Sequence, residues 1–468
     1  MFLVRYPANR IAEREYILRE LLEYRLGLEI ELVAEERLDT FLSWNDGPSL
    51  SIADGLLATS DAGWLQSESV PSQPPDLLGA LPSGCVDERV GPDLAFLPIP
   101  GAAGAKTVDV AVAAGSGSLS VNADILGSAF FFLTRYEEIA APQHDRFGRF
   151  PASASFAVQH GFLTRPVVDE YTALLEICLR RLYPRLQTRS TSFRVEVSHD
   201  VDLPLRFRWA SVLRMAGGGL RQFARNGSLR AFARHVSTWY AVRHRGQLDL
   251  DPYNTFDAII SSSSKRNLRS AFYFITDRPA GNIDALYDID DPFIESLIAK
   301  VHRSGHEVGL HASFSSYLDA NRTRMEFERL LGVCERQGVK QDRWGGRQHY
   351  LRWSAPVTWS NWEAAGLNYD STVGFAQLAG FRCGTCHEYR PFDLRRRRTM
   401  NLLERPLIAM DTTVMDYMKL ATTDTARDAL VLLKQQCRLH RGTFAFLWHN
   451  SNLTTSSQWK LYTDVLDA

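Results

Sequence analysis

From residue 193 to the end of the chain, short apolar segments alternate with stretches of helical periodicity, and this alternation constrains the fold more than any other feature. Apolar runs of roughly four to eight residues predict buried strands, and apolar residues at three- and four-residue steps predict helices. Strands that alternate with helices form parallel sheets covered by those helices. The pattern therefore predicts an α/β fold, either a closed or partly open β/α barrel or a doubly wound sheet.

The predicted elements of this region can be placed by residue number. The strands are predicted at 193–197, 270–275, 307–310, 343–350, 402–410 and 443–448, and the helices at 292–303, 324–337, 355–365 and 425–439. In both candidate architectures the carboxyl ends of the strands meet at one edge, where active sites are built. Catalytic residues are therefore expected at the ends of these strands.

The charge distribution divides the chain near residue 190. Residues 1–190 carry 16 Lys and Arg against 25 Asp and Glu, whereas residues 191–468 carry 37 against 29. The acidic part mixes strand and helix patterns, with helices predicted at 10–29, 124–139 and 166–183. We therefore predict a smaller acidic mixed α/β module over residues 1–190, followed by the β/α domain over residues 191–468.

Nearly all of the positive excess lies in the segment 203–250, which holds nine Arg residues and a single acidic residue, Asp249. Apolar residues recur at helical spacing between the arginines and predict an amphipathic helix pair interrupted at 217–219 and 226–227. Such an element suits an anionic membrane surface or an anionic ligand, and the alternative is a solvated outer face packed on its own domain. Nucleic-acid binding is not expected, because recognition motifs are missing and the pI is 6.9.

Six cysteines in 468 residues are too few for a disulfide framework, which is typical of a reducing compartment. Cys383 and Cys386 form an isolated CxxC in a loop-like stretch, where two unlinked thiols are a simpler interpretation than a zinc or redox site. No apolar stretch approaches the ~20 residues that span a bilayer, and the N-terminus lacks a signal-peptide pattern. We therefore expect a cytoplasmic location.

Two carboxylates follow the first strand of the β/α domain. The strand at 193–197 runs into Ser-His-Asp-Val-Asp, which places Asp200 and Asp202 two residues apart. Side chains two apart on an extended chain point the same way, so both carboxylates would be directed at one site. Such a pair suits a metal ligand beside a general base, and the alternative is a polar turn with helix-capping aspartates.

Histidines end two further strands. His306 and His311 are five residues apart, so the HExxH spacing of zinc proteases is not met, and only one of them can face Asp200 and Asp202. His311, at the carboxyl end, is the candidate, and His306 is expected to be structural. His449 follows the last strand. Three strands that bring Asp/Asp, His and His to one rim are typical of metal-assisted hydrolysis.

The order of these motifs resembles a known family. Ser-His-Asp-Val-Asp, Gly-His-Glu-Val-Gly-Leu-His, Gly-Arg-Gln-His-Tyr at 346–350 and Leu-Trp-His near the C-terminus together resemble the polysaccharide deacetylases, carbohydrate esterase family 4 or NodB homology domain. The resemblance covers residues 193 to about 455, with the basic segment as an insertion, and the acidic part is similar to an uncharacterised module. It implies a distorted β/α barrel and a divalent metal, usually zinc, for hydrolysis of the N-acetyl group of amino sugars.

The resemblance also implies roles for single residues. Asp200 matches the general base and Asp202 a metal ligand, while His311 matches the first of two metal histidines. Arg347 matches the arginine that orients the base. His449 matches the histidine that protonates the departing amine.

One position departs from the family pattern. The second metal histidine falls four residues after the first, where this chain has Ser315, and a serine hydroxyl is a poor zinc ligand. Another residue could supply the ligand: His349 lies two residues after Arg347 and so shares its strand face, and His199 is the other option. Alternatively the metal is held weakly, or the protein binds glycan without cleaving it.

Together with these residues, the resemblance implies a metal-dependent N-deacetylase with Asp202, His311 and His349 as metal ligands and zinc as the metal. The substrate that the resemblance implies is an N-acetylated amino sugar of a bacterial polysaccharide or its precursor, and the resemblance also makes Asp370 a candidate supporting carboxylate. The alternatives are a glycan-binding or assembly protein on the same barrel, and a metal-dependent carbon–nitrogen hydrolase of a small molecule. Peripheral contact with an anionic inner membrane through residues 203–250 is a further expectation.

Overall fold

The computed structural model describes residues 1–45, 47–79, 81–82, 85–99, 107–112, 117–420 and 424–468. The strands of residues 1–190, called here the N-terminal part, are β1 (Phe2–Pro7), β2 (Ile30–Glu35), β3 (Asp39–Trp44), β4 (Leu50–Ala53), β5 (Asp76–Leu78), β6 (Ala95–Phe96), β7 (Thr107–Val108), β8 (Val110–Val112) and β9 (Leu119–Val121). Its helices are α1 (Ile11–Leu18), continued by a π-helical stretch (Arg19–Arg25), α2 (Ile125–Thr134), α3 (Tyr136–Ala140), α4 (Phe156–Gln159) and α5 (Val167–Leu182).

The N-terminal part contains two sheets. Six strands form one sheet in the order β2–β1–β3–β4–β9–β8, with parallel and antiparallel pairs, and three short strands form another in the order β6–β5–β7. The single helix predicted at 124–139 is divided into α2 and α3, because Arg135 adopts a left-handed conformation with φ 54°. The predicted mixture of strands and helices is present in this part.

The remaining residues form the barrel part. Its strands are β10 (Arg194–Val201), β11 (Ala271–Ile275), β12 (Glu307–Ala312), β13 (Gly345–Gln348), β14 (Tyr369–Asp370), β15 (Phe392–Asp393), β16 (Arg398–Thr399), β17 (Leu403–Glu404), β18 (Ala409–Met410) and β19 (Thr443–Leu447). Its helices are α6 (Val212–Asn226), α7 (Leu229–Arg245), α8 (Phe256–Lys265), α9 (Pro292–Arg303), α10 (Ala320–Arg336), α11 (Val357–Ala365), α12 (Asp424–Leu439) and α13 (Ser456–Asp467). Among the described residues, no helix has the length and apolar character needed to cross a membrane.

Eight strands form one parallel sheet in the order β17–β14–β13–β12–β11–β10–β19–β18. The two edge strands, β17 and β18, are joined only by residues 405–408. That connection can reach at most about 18 Å, because an extended residue spans ~3.6 Å. A flat sheet of eight strands would hold its edges roughly 34 Å apart. The sheet is therefore curled into a partly open β/α barrel, as the strand–helix alternation predicted.

The segment predicted as one strand at 402–410 supplies both edges of this sheet. β17 pairs with β14 on one side, and β18 pairs with β19 on the other. Between them, Leu407 N donates to Val373 O at 3.1 Å and Ile408 N donates to Ala445 O at 3.1 Å. The prediction of a single strand is therefore wrong, because the chain crosses the gap between the two edges of the barrel here.

Helices α6 and α7 form a hairpin in the basic segment. The predicted turn is present, and Gly227, with φ 60°, ends α6. The predicted interruption at 217–219 is wrong, because these glycines continue the helix. A Cβ atom on Gly219 would come within 2.9 Å of the Phe232 ring on α7. The glycines therefore serve close packing of the two helices rather than a helix break.

The N-terminal part and the barrel part share one hydrophobic core. Residues 381–390 follow β14 in the barrel sequence but pack against α2, α3 and α5 of the N-terminal part. Arg135 donates a hydrogen bond to the carbonyl of Arg382, and Val168 N donates to Gly384 O at 2.8 Å. The sequence boundary near residue 190 is thus crossed by extensive packing.

Candidate active site

A cavity of about 340 Å³ opens at the carboxyl ends of the barrel strands. It brings together five of the six residues predicted for the site, which are Asp200, Asp202, His311, His349 and His449. These residues come from β10, β12, β13 and β19 or from the residues directly after them. Parallel strands meet at this edge, so the convergence follows from the sheet topology.

Alternation along β10 separates its polar side chains. Ser198 and Asp200 face the barrel interior, where Arg347 donates to both: Nη1 to Asp200 Oδ1 at 2.7 Å and Nη2 to Ser198 Oγ at 3.0 Å. His199 points the other way, and its Nδ1 donates to Trp448 O at 2.6 Å. Burial lowers the pKa of His199 to about 4. His199 is therefore a neutral, structural histidine outside the cavity, whereas Arg347 fixes the orientation of Asp200.

Asp202, His311 and His349 form a compact cluster in which one potential ligand atom from each lies within 4.8 Å of the others. His311 Nε2 lies 3.1 Å from Asp202 Oδ1, and His349 Nε2 lies 3.7 Å from Asp202 Oδ2. His311 Nδ1 lies 2.9 Å from the carbonyl of Arg347 and donates to it, which leaves Nε2 with a free lone pair. One carboxylate and two imidazoles are a donor set that catalytic zinc accepts.

The contacts of Asp202 test whether these residues fit a cation. Its Oδ1 atom is buried without a hydrogen-bond partner among the described residues, although His311 Nε2 lies opposite it. Burial lowers the pKa of His311, but Asp200 and Asp202 raise it, so in the absence of a metal a proton on Nε2 bridges this contact. A metal ion bound between the two atoms would take the place of that proton. Burial raises the pKa of Asp202, but His349 and His311 lower it well below its usual range. The cluster therefore fits a divalent metal ion.

The two histidines of the segment before and within β12 are separated as their spacing predicts. His306 lies before the strand, and its Nδ1 accepts a hydrogen bond from Ser270 N at 3.2 Å. His311 lies at the carboxyl end and faces the cavity. His306 is thus held in the packing at the amino end of the strands.

The position of the family's second metal histidine does not face the site. Ser315 is exposed in the turn after β12 and is not among the residues described as lining the cavity. His349 reaches the cavity instead from the short 3₁₀ turn (His349–Leu351) that follows β13. The next residue, Tyr350, is left-handed with φ 62°, and Arg149 of the N-terminal part donates to its carbonyl at 3.1 Å. Of the two substitute ligands considered, His349 lies beside Asp202 and His199 does not.

Asp284 is a site residue that the sequence did not reveal. Its Oδ1 lies 3.5 Å from His349 Nδ1, on the side of the ring away from Asp202, and also accepts from Phe314 N at 2.6 Å. Burial raises the pKa of Asp284, but the hydrogen bond with His349 and those from backbone N–H groups lower it below its usual value. A carboxylate on the distal nitrogen orients a metal histidine. Asp284 lies in the loop between β11 and α9, where no periodic pattern marks it.

Asp411 is the second residue that the sequence did not reveal. It follows β18, and it accepts hydrogen bonds from His449 Nδ1 at 2.8 Å and from His449 N at 2.8 Å. The other ring nitrogen, His449 Nε2, lies 3.5 Å from Asp202 Oδ2 at the cavity. Burial lowers the pKa of His449, but the Asp411 carboxylate outweighs it and raises that pKa to about 10. His449 is therefore a protonated histidine facing the cavity at neutral pH.

Asp370 lies behind the site rather than in it. Its carboxylate accepts from the backbone N of Thr372 at 3.0 Å and from the Thr372 hydroxyl. Burial raises the pKa of Asp370 to about 7. The neighbouring Ser371, through its carbonyl, accepts from Arg347 Nε at 2.8 Å. Asp370 thus shapes the turn that holds Arg347 in place.

A second group of metal-type ligands, Asp169, Cys386 and His387, lies where the N-terminal part meets the barrel part. Asp169 already accepts hydrogen bonds from Arg25 Nη1 at 2.5 Å, from Cys386 N at 2.9 Å and from Cys386 Sγ at 3.1 Å. A buried carboxylate with these partners is satisfied without an ion. Cys383 and Cys386 are both buried free thiols.

Comparison with known proteins gives distant similarities. Residues 2–184 match a family of unknown function, DUF7033. No curated protein matches the chain. Among solved structures, the chain is similar to a Mycobacterium smegmatis protein assigned as a polysaccharide deacetylase, at 14% identity over 60% of this chain and 84% of that one, with a TM-score of 0.36. It is similar to a Pseudomonas aeruginosa PAO1 protein with the same assignment, at 10% identity over 59% of this chain and 84% of that one, with a TM-score of 0.35. The chain is also similar to an allantoinase, at 10% identity over 59% of this chain and 84% of that one, with a TM-score of 0.34. Similarity at this level carries no argument about activity.

Proposed function

We propose that the protein is a metal-dependent hydrolase that removes N-acetyl groups from amino sugars of a polysaccharide or its precursor. The observation that carries the proposal is the meeting in one cavity of three metal-type ligands, an aspartate held by Arg347 and a histidine held by Asp411. This combination provides what amide hydrolysis requires, namely a site for a Lewis acid, a general base and a general acid. The sugar substrate rests on the resemblance of the motif order to polysaccharide deacetylases.

Asp202, His311 and His349 would hold the metal, which when bound supplies Lewis acidity toward the acetyl carbonyl and the attacking water. Asp200 is the general base. Its Oδ1 is occupied by Arg347, so Oδ2, which lies 3.6 Å from His311 Nε2, is the oxygen free to accept the proton of water. The oxygen of that water adds to the acetyl carbon.

His449 is the general acid. Its Nδ1 is fixed by Asp411, which leaves the Nε2 proton directed at the cavity. As the carbon–nitrogen bond breaks, this proton passes to the nitrogen of the departing amino sugar. Acetate and the free amine leave, and Asp200 and His449 then exchange protons with solvent to restore their starting states.

Acetate release from N-acetylated amino sugar oligomers tests the proposal. We expect release by the zinc-loaded protein, loss after chelation and recovery when zinc is restored, because the site lacks a Lewis acid without metal. Glycan binding without acetate release, unchanged by chelation, would contradict hydrolysis and favour a binding protein. Hydrolysis of small amides but not of sugars would retain the hydrolase and overturn the sugar substrate.

Replacement of Asp411 by asparagine should move the basic limb of the kcat–pH profile to lower pH. In the wild type Asp411 raises the pKa of His449 to about 10, so the histidine keeps its proton through neutral pH and loses it as the pH rises through that value. Without the carboxylate, burial lowers the pKa and the proton is lost at lower pH. Asp416→Asn is the matched control, since Asp416 is an exposed aspartate nearby. Identical basic limbs in Asp411→Asn and wild type would refute the assignment.

A further inference from the structure

The α6–α7 hairpin exposes large apolar side chains. Leu213 is 85% exposed, Leu220 is 61% exposed and Leu229 is 73% exposed. Leu213 and Leu220 are seven residues apart, so they lie on the same face of α6. Large apolar side chains exposed together on one face of a helix are candidates for an interaction surface.

The packing between the two helices does not use these leucines. Added Cβ atoms at Gly218 and Gly219 would lie 3.3 Å and 2.9 Å from the rings of His235 and Phe232, so the glycine face of α6 is the one that meets α7. The leucine face is left outward. The hairpin is therefore closed on itself by its glycines and presents its leucines to the surroundings.

The same hairpin carries exposed arginines, namely Arg214, Arg230, Arg234, Arg243 and Arg245. Within the described part of the chain, these five form no ion pair, whereas Arg208 at the base of the hairpin is paired with Asp291. By comparison, Arg329 and Arg336 on the outer surface of the barrel part are paired with acidic neighbours. The positive charge of the hairpin is thus not neutralised by the protein.

We propose that the α6–α7 hairpin docks on the surface of an anionic lipid bilayer. Leu213, Leu220 and Leu229 enter the interface, and the unpaired arginines contact lipid phosphates. Interfacial helices bind through the sum of buried apolar area and attraction to anionic lipid, and this hairpin presents both. Nucleic acid would satisfy the arginines but would leave the leucines in water, so a bilayer fits the surface better.

Flotation of the full-length protein with phosphatidylcholine vesicles, with and without phosphatidylglycerol, tests the proposal. We expect binding to the anionic vesicles only, weakening as salt is added. Arg230→Gln together with Arg234→Gln should weaken it about thirty-fold. Leu213→Ser together with Leu220→Ser should weaken it roughly ten-fold or more. All four side chains are exposed, so each variant should keep the wild-type thermal melting curve.

Arg269→Gln together with Arg303→Gln is the matched control. It removes the same charge from exposed positions that precede β11 and β12, at the amino ends of these strands. This variant should leave vesicle binding unchanged. Equal binding to both vesicle types, no binding to anionic vesicles, or an equal loss in the control would overturn the proposal. So would preferential binding to nucleic acid that depends on the arginines but not on the leucines.

Discussion

Asp200→Asn should lower kcat by about 10²–10⁴-fold while the protein keeps its metal. The asparagine carbonyl can still accept a hydrogen bond from Arg347 Nη1, which lies 2.7 Å from Asp200 Oδ1, so the geometry around the site is retained. The amide cannot take a proton from water, so the base is lost. Steady-state rates of acetate release, together with metal analysis of the same samples, measure both effects.

Ser198→Ala is the matched control for this change. It removes the other β10 side chain that Arg347 contacts, at 3.0 Å, but leaves the base in place, so a much smaller loss of kcat is expected. Wild-type turnover in Asp200→Asn would exclude Asp200 as the base. Loss of metal from that variant would instead place Asp200 among the ligands.

His349→Ala should remove the metal and with it the activity. The wild-type protein should contain about one zinc ion per chain, because a catalytic zinc site uses three protein ligands. Only Asp202 and His311 remain in the variant, and the exposed Ser315 does not face the cavity. Elemental analysis of protein purified without chelator should therefore show metal content near zero, with no acetate release.

Two further variants make this measurement specific. His199→Ala removes a histidine from the opposite face of β10, where it contacts Trp448, and should leave the metal content unchanged. Asp284→Ala removes the carboxylate behind His349 and should weaken metal binding about 10–100-fold without abolishing it. Full zinc content in His349→Ala, or zinc loss in His199→Ala, would show that the third ligand is assigned to the wrong histidine.

The residues that meet at the strand ends could be predicted from the sequence, because strand periodicity fixes the face on which a side chain lies and the end of the strand that it occupies. Two-residue spacing placed Asp200 and Asp202 together, and odd spacing separated His306 from His311. Asp284 and Asp411 could not be predicted in this way. Asp284 lies in a loop and Asp411 directly follows a two-residue edge strand, where position depends on tertiary contacts rather than on periodicity.

The fold was predictable at the level of the strand–helix alternation, but two local patterns were misleading. The apolar run at 402–410 has the character of one buried strand, and only the curled sheet shows that it divides into two edges. The glycines at 217–219 have the composition of a helix break, and only the presence of Phe232 across the hairpin explains why a helix needs them. In both cases a distant segment decides the local structure.

The shared core between the two parts limits how the protein can be dissected. Residues 381–390 belong to the barrel by sequence but complete the interior around α2 and α5, and Arg149 from the N-terminal part lines the candidate active-site cavity. Removing either part would expose to solvent apolar side chains of the other part that are now buried. The chain should therefore unfold as one cooperative unit, and its minimal active fragment is close to its full length.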